Sequence, residues 1–146
     1  MTGPEGVVDS PVDWVAEHIR QYEDSNGTQG HLWRGLPTLL LSTRGRRSGM
    51  WRRTALIYGR DGDNYLVVAS NGGAASHPLW YLNLTEHPLV RLRVGADRFE
   101  AHARTAAAAE KQRLWPVMAS VFPTYDRYQA STGRDIPLVV LEPHRV

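Results

Sequence analysis

Val12, Val15, Ala16, Ile19 and Tyr22 recur at helical spacing, which predicts an amphipathic helix over 11–24. Ser10 before Pro11 supplies a cap and a proline for the first helical position, and Asn26-Gly27 supplies the stop. Trp14 falls off the apolar face. Residues 1–10 carry no such pattern and read as a flexible leader to a single domain over 11–146. Beyond the helix the period changes. Residues 37–43 read as a buried strand, and a loop follows over 44–49. A strand over 51–60 turns at Asp61-Gly62, a strong hairpin signal, into a partner over 65–70. Asn71-Gly72-Gly73 breaks the run, and Ser76-His77-Pro78 opens a short helix over 78–86. Leu89 to Val94 and Arg98 to Arg104 form another hairpin around Gly95-Ala96-Asp97. Thr105 is placed to cap a helix reaching about Phe122, with a kink expected at Pro116. Tyr125 and Tyr128 follow on a short helix or turn, and 136–141 is a final strand. Hairpins dominate, so the expected class is α+β: a mainly antiparallel sheet in a small closed or half-closed barrel flanked by helices.

Composition narrows the chemistry. Cysteine is absent, which removes disulfides, thiolate nucleophiles and thiolate metal sites. The six histidines form no pair at i, i+4 and there is no HExxH, so no metal ligand set is expected. No G-x-S-x-G elbow is present. The apolar runs are too short to span a bilayer, and no secretion signal opens the chain, so a cytoplasmic protein is expected, at most peripheral to the inner membrane face. Charge is segregated. Residues 1–30 hold six acids and one base, whereas residues 31–60 hold seven arginines and no acid. A single basic block suggests one anion site rather than general polyanion binding.

Three constellations carry candidate chemistry. In Arg44-Gly45-Arg46-Arg47-Ser48-Gly49-Met50-Trp51-Arg52-Arg53, glycines expose backbone N–H groups while arginines and a hydroxyl add donors. That set suits a phosphate or carboxylate, and it also fits a solvated basic turn. Ser70-Asn71-Gly72-Gly73 followed by Leu79, Trp80 and Asn83 is able to admit and cover a planar ring, and it equally fits a tight turn before a core helix. Tyr125 and Tyr128, three apart, share a helix face, either as two phenols aimed at a substrate oxygen or as packing side chains.

Taken together and in this order, these pieces resemble the deazaflavin-dependent nitroreductase family from about Trp14 to Pro143. The resemblance rests on Thr43-Arg44-Gly45-Arg46-Arg47-Ser48-Gly49, Ala69-Ser70-Asn71-Gly72-Gly73, Pro78-Leu79-Trp80-Tyr81-Leu82-Asn83-Leu84, and Phe122-Pro123-Thr124-Tyr125 with Tyr128. It implies a split β-barrel oxidoreductase that uses reduced coenzyme F(420) to pass hydride to a small organic acceptor: a quinone, nitroaromatic or enone. Arg46, Arg47, Ser48 and Arg52 would then hold the cofactor's phosphate and acidic tail. Val68, Ala69, Ser70 and Asn71 would line its ring and ribityl chain, and Leu79, Trp80 and Asn83 would close the groove. Ser70, Tyr125 and Tyr128 would face the substrate. Asn71 stands where the best-known nitroreductase has a lysine, and Ile57 and Phe122 where it has tyrosines. Two rival readings keep other cofactors or drop the chemistry: an FMN- or haem-binding split barrel, or a nonenzymatic cofactor or polyanion carrier. Nucleic acid is a poor fit, because Trp51 alone interrupts the arginines. Membrane contact through the first helix would set a net negative segment against anionic lipid. The oligomeric state is left open.

Overall fold

The computed structural model describes residues 7–144. Among these, the strands are β1 (Val7–Asp9), β2 (Leu32–Trp33), β3 (Leu36–Arg44), β4 (Trp51–Ile57), β5 (Gly59–Asp61), β6 (Asn64–Val68), β7 (Leu89–Val94), β8 (Asp97–Thr105) and β9 (Leu138–Pro143). The helices are α1 (Asp13–Asp24), α2 (Leu79–Glu86), α3 (Ala108–Val121) and α4 (Thr124–Ala130). The strands form one sheet in the order β1-β4-β3-β7-β8-β9-β6-β5, with β2 added on β3. Every pairing is antiparallel except β1 with β4. β4 and β5 lie near opposite ends of that order, yet only Tyr58 separates them in the chain. The sheet must therefore curl until its ends nearly meet. It does not close by hydrogen bonds among the described residues, which makes it the half-closed, split β-barrel of an α+β fold.

The uninterrupted apolar runs follow from this curl. Side chains alternate across a strand, so a run apolar at every position needs cover on both faces. Tyr65 and Val67 of β6 join Leu39, Leu41, Val139 and Leu141 in the barrel interior. Their neighbours Leu66, Val68, Leu138 and Val140 turn outward under α3 and α4, against Leu114, Met118 and Tyr125. Leu40 faces a third cluster with Ile19 and Tyr22 of α1. Each fully buried aliphatic contributes roughly 1.5–3 kcal/mol. No helix among the described residues is long and apolar enough to cross a membrane.

Several boundaries differ from the sequence expectation. Val7–Asp9 is not loose leader but a strand beside β4, and residues 1–6 lie outside the described residues. Three residues are too few to show a period. What holds them is the open edge of β4 and the Asp9–Arg53 ion pair at 2.7 Å. α1 starts at Asp13, with Ser10 Oγ accepting the Val12 N–H at 3.3 Å. The 51–60 strand breaks at Tyr58, where its pairing partner changes from β3 to β6. Thr105 is not a cap. It ends β8 opposite Val139, its Oγ1 lies 2.9 Å from the Tyr81 hydroxyl, and Ala107 takes the cap position of α3. α3 continues past Pro116 to Val121, and the last strand begins at Leu138.

The segregated charges meet in this fold. Glu23 of α1 binds Arg53 at 3.1 Å, Arg93 at 2.8 Å and Arg98 at 2.6 Å. Arg93 is 3% exposed and also bonds Asn26 and the Gly95 carbonyl. The acidic first segment thus clamps α1 to the sheet. Glu23→Gln keeps a polar group but removes the shared carboxylate. It should lower stability by about 2 kcal/mol, the worth of a charge-assisted hydrogen bond, read as a melting temperature about 4–8 °C lower.

Candidate active site

The loop joining β3 to β4 is folded tightly on itself. The Gly45 N–H donates to the Met50 carbonyl at 2.7 Å, and the Gly49 N–H donates to the Gly45 carbonyl at 2.9 Å. A Cβ at Gly45 would lie 2.7 Å from Ser48 Oγ, so only glycine fits without a shift. Asn83 of α2 secures the loop from beneath. Its Oδ1 accepts the Arg46 N–H at 3.2 Å, and its Nδ2 donates to Thr43 Oγ1 at 3.2 Å. The loop, Arg52 and α2 enclose a recess of about 290 Å³. Among the described residues no carboxylate pairs with Arg46, Arg47 or Arg52. Three guanidiniums around one recess repel one another until an anion offsets them. Arg53 and Arg44 belong elsewhere. Arg53 is spent on Asp9 and Glu23, and Arg44 lies 5.9 Å from the Trp51 ring centre, which Arg91 also covers at 4.1 Å.

A second cavity, of about 450 Å³, adjoins along the same elements. Arg52 of the recess and Thr54 of the cavity are alternate residues on one face of β4, about 7 Å apart along the strand. Leu79 and Asn83 of α2 face the recess, while Pro78 and Trp80 face the cavity. Val68, Ser70 and Asn71 form one wall, and Tyr125 and Tyr128 of α4 another. Of the residues singled out in the sequence, Ala69 is the one turned away. It is fully buried behind the wall, with its N–H on the Pro137 carbonyl at 2.9 Å. Leu79 lines the recess and is 68% exposed at its rim. A ligand with a planar apolar ring and an anionic tail fits this pair of spaces.

Of the cavity's outer wall, the sequence reading named Phe122 and passed over Trp14 and Trp33. Trp14, off the apolar face and 61% exposed, stacks on Trp33 at 6.2 Å. Trp33 meets Phe122 at 6.4 Å, and Phe122 meets Tyr125 at 5.0 Å and Tyr128 at 6.4 Å. Val15 and His18 of α1 also line the cavity. Trp14's place off the apolar face was the one available signal. A two-residue strand gives Trp33 none.

Tyr125 is 5% exposed. Burial first, and the neighbouring Tyr128 second, push its phenol well above the ordinary value of 10.0. The hydroxyl therefore keeps its proton through neutral and mildly alkaline pH and is available as a hydrogen-bond donor. Giving the proton up entirely would leave a buried phenolate. Tyr128, 6.4 Å away between ring centres, is only half-buried.

Residues 14–143 match the family described as F420H(2)-dependent quinone reductase. An F420H(2)-dependent quinone reductase of Mycobacterium tuberculosis is 41% identical over 128 residues, spanning 85% of this chain and 86% of that protein. A solved structure described as a domain-swapped dimer is 33% identical, with a TM-score of 0.71 over 91% of this chain and 100% of the other. The F420-H2 dependent reductase FDR-A is 33% identical, with a TM-score of 0.68 over 73% of this chain and 94% of the other. The resemblance read from the motifs and the geometry of recess and cavity thus point the same way: the chain belongs to the F420H(2)-dependent quinone reductase family.

Proposed function

We propose that this chain holds coenzyme F(420) with its phosphate and acidic tail in the Arg46, Arg47, Ser48 and Arg52 recess and its ring in the adjoining cavity, and that it reduces a quinone there. The observation that carries this reading is an anion recess and an aromatic-walled cavity lined by neighbouring residues of β4 and of the segment 78–83. When bound, the reduced deazaflavin supplies hydride, a two-electron transfer that needs neither thiol nor metal. The chain's own work is positioning and electrostatics. Val68, Ser70 and Asn71 set one side of the ring site, and Trp80 closes it from α2. Trp33 and Phe122 give the acceptor apolar faces to lie against. Tyr125 and Tyr128 aim hydroxyls at the oxygen that gains charge, and Ser70 is a third donor at the same wall.

Calorimetric titration with coenzyme F(420) and with FMN tests the assignment. Both carry a phosphate, but only the deazaflavin adds further carboxylates for the arginines. F(420) should bind at least about tenfold tighter, the worth of one charge-assisted contact. Equal or better affinity for FMN would overturn the cofactor. No oxidation of the reduced deazaflavin by a quinone, with binding intact, would overturn the reaction.

A further inference from the structure

Arg134 lies in the connection between α4 and β9, outside every motif that suggested the site. Its guanidinium is committed almost wholly to the backbone of one turn. Nε donates to the Ala74 carbonyl at 2.8 Å, Nη2 to the Ser70 carbonyl at 2.6 Å, and both terminal nitrogens to the Ala69 carbonyl at 3.3 Å. Nη1 also lies 3.0 Å from Nδ1 of His77, which must accept because guanidinium only donates.

The turn so held is an unusual one. Asn71, Gly72 and Gly73 follow one another at φ 49°, 64° and 82°. Left-handed backbone costs a non-glycine residue about 1 kcal/mol or more, and it persists only where the surroundings over-determine it. Ser70 and Asn71 of this turn line the cavity. A trans peptide sets its N–H opposite its C=O. With the Ala69 and Ser70 carbonyls drawn to Arg134, the N–H groups of Ser70 and Asn71 point away from it. Among the described residues neither N–H has an acceptor.

We propose that Arg134 is a positioning residue: it draws the Ala69 and Ser70 carbonyls back and so presents two unpaired backbone N–H groups, of Ser70 and Asn71, to an acceptor atom on the ring of the bound cofactor. The proposal rests on the cofactor assignment above. Through His77, whose ring lies 4.9 Å from that of Tyr81, the same guanidinium also ties the turn to the start of α2 and hence to Trp80.

Arg134→Lys keeps the charge but has no fork to span three carbonyls, and Arg134→Gln removes both. The readouts are F(420) affinity from fluorescence titration and the position of the bound cofactor's visible absorption band, each against wild type. Thermal unfolding reports how much of each variant is folded. Wild-type chain that does not bind F(420) sinks the cofactor assignment, not this role. Given wild-type binding, folded Arg134→Lys should bind about fivefold more weakly, the worth of one neutral hydrogen bond, with a shifted band. Its effect should add to that of Arg47→Ala, because the recess and the turn are separate contacts. Should Arg134→Gln fail to fold, Arg134→Lys decides alone. Wild-type affinity and an unshifted band in folded Arg134→Lys would overturn the proposal.

Discussion

Replacing Arg47 and Arg52 together by alanine should weaken coenzyme F(420) binding by about 100-fold, with each single change contributing about tenfold. The two guanidiniums face one recess and have no carboxylate partner among the described residues, so nothing inside the fold competes for them. Their loss removes charge-assisted contacts to the tail and leaves the ring cavity intact. The interaction is between exposed groups and should therefore weaken with salt in the wild type and much less in the double variant. Stability should hardly change, because both side chains are exposed. Arg53→Ala is the informative contrast. It lies one residue from Arg52 but on the other face of β4, bound to Asp9 and Glu23. It should lower the melting temperature and spare binding in the fraction that stays folded. Calorimetric titration at two salt concentrations settles the matter. Unchanged affinity in the double variant would place the anionic tail elsewhere.

That contrast also marks how far the sequence could be read. Seven arginines without an acid over residues 31–60 suggested one anion site. The structure divides them by strand parity: Arg52 goes to the recess and Arg53 to a clamp on the acids of the first segment. Charge counts along the chain do not carry that division, because it depends on which face of β4 each residue takes. The barrel itself was legible, since apolar runs such as 39–41 and 138–141 are buried on both sides and hairpin turns join their neighbours. β1 was not, because three residues show no period and their partner is 44 positions on, as in the Asp9–Arg53 bond. Trp33 and Arg134 were silent for a related reason: each acts through contacts made only once distant elements come together.

Tyr125→Phe and Tyr128→Phe should each leave F(420) affinity nearly unchanged, and at least one should slow hydride transfer by about tenfold or more. Hydride arriving at a quinone carbon drives negative charge onto the carbonyl oxygen, and a fixed donor aimed at that oxygen lowers the barrier. Both rings line the cavity, with centres 6.4 Å apart, because α4 presents residues three apart on one face. Depth would separate their roles. Tyr125 is nearly sealed, and burial holds its phenol well above the ordinary value, so it would donate a hydrogen bond but resist full deprotonation. Tyr128 is half-buried and nearer solvent, which suits it to pass on the proton that the reduced oxygen finally takes. The sign for pH follows. A raised phenol stays protonated from about pH 6 to about pH 9, so Tyr125 should add no alkaline fall to the rate over that range. Phenylalanine keeps the ring packing against Phe122 while deleting only the hydroxyl. Rapid mixing of reduced F(420) with a quinone, followed at the cofactor's absorption band, isolates the step. If both single variants and the double variant transfer hydride at the wild-type rate, the two phenols only wall the cavity and the stabilising donor is another group, with Ser70 the first to test.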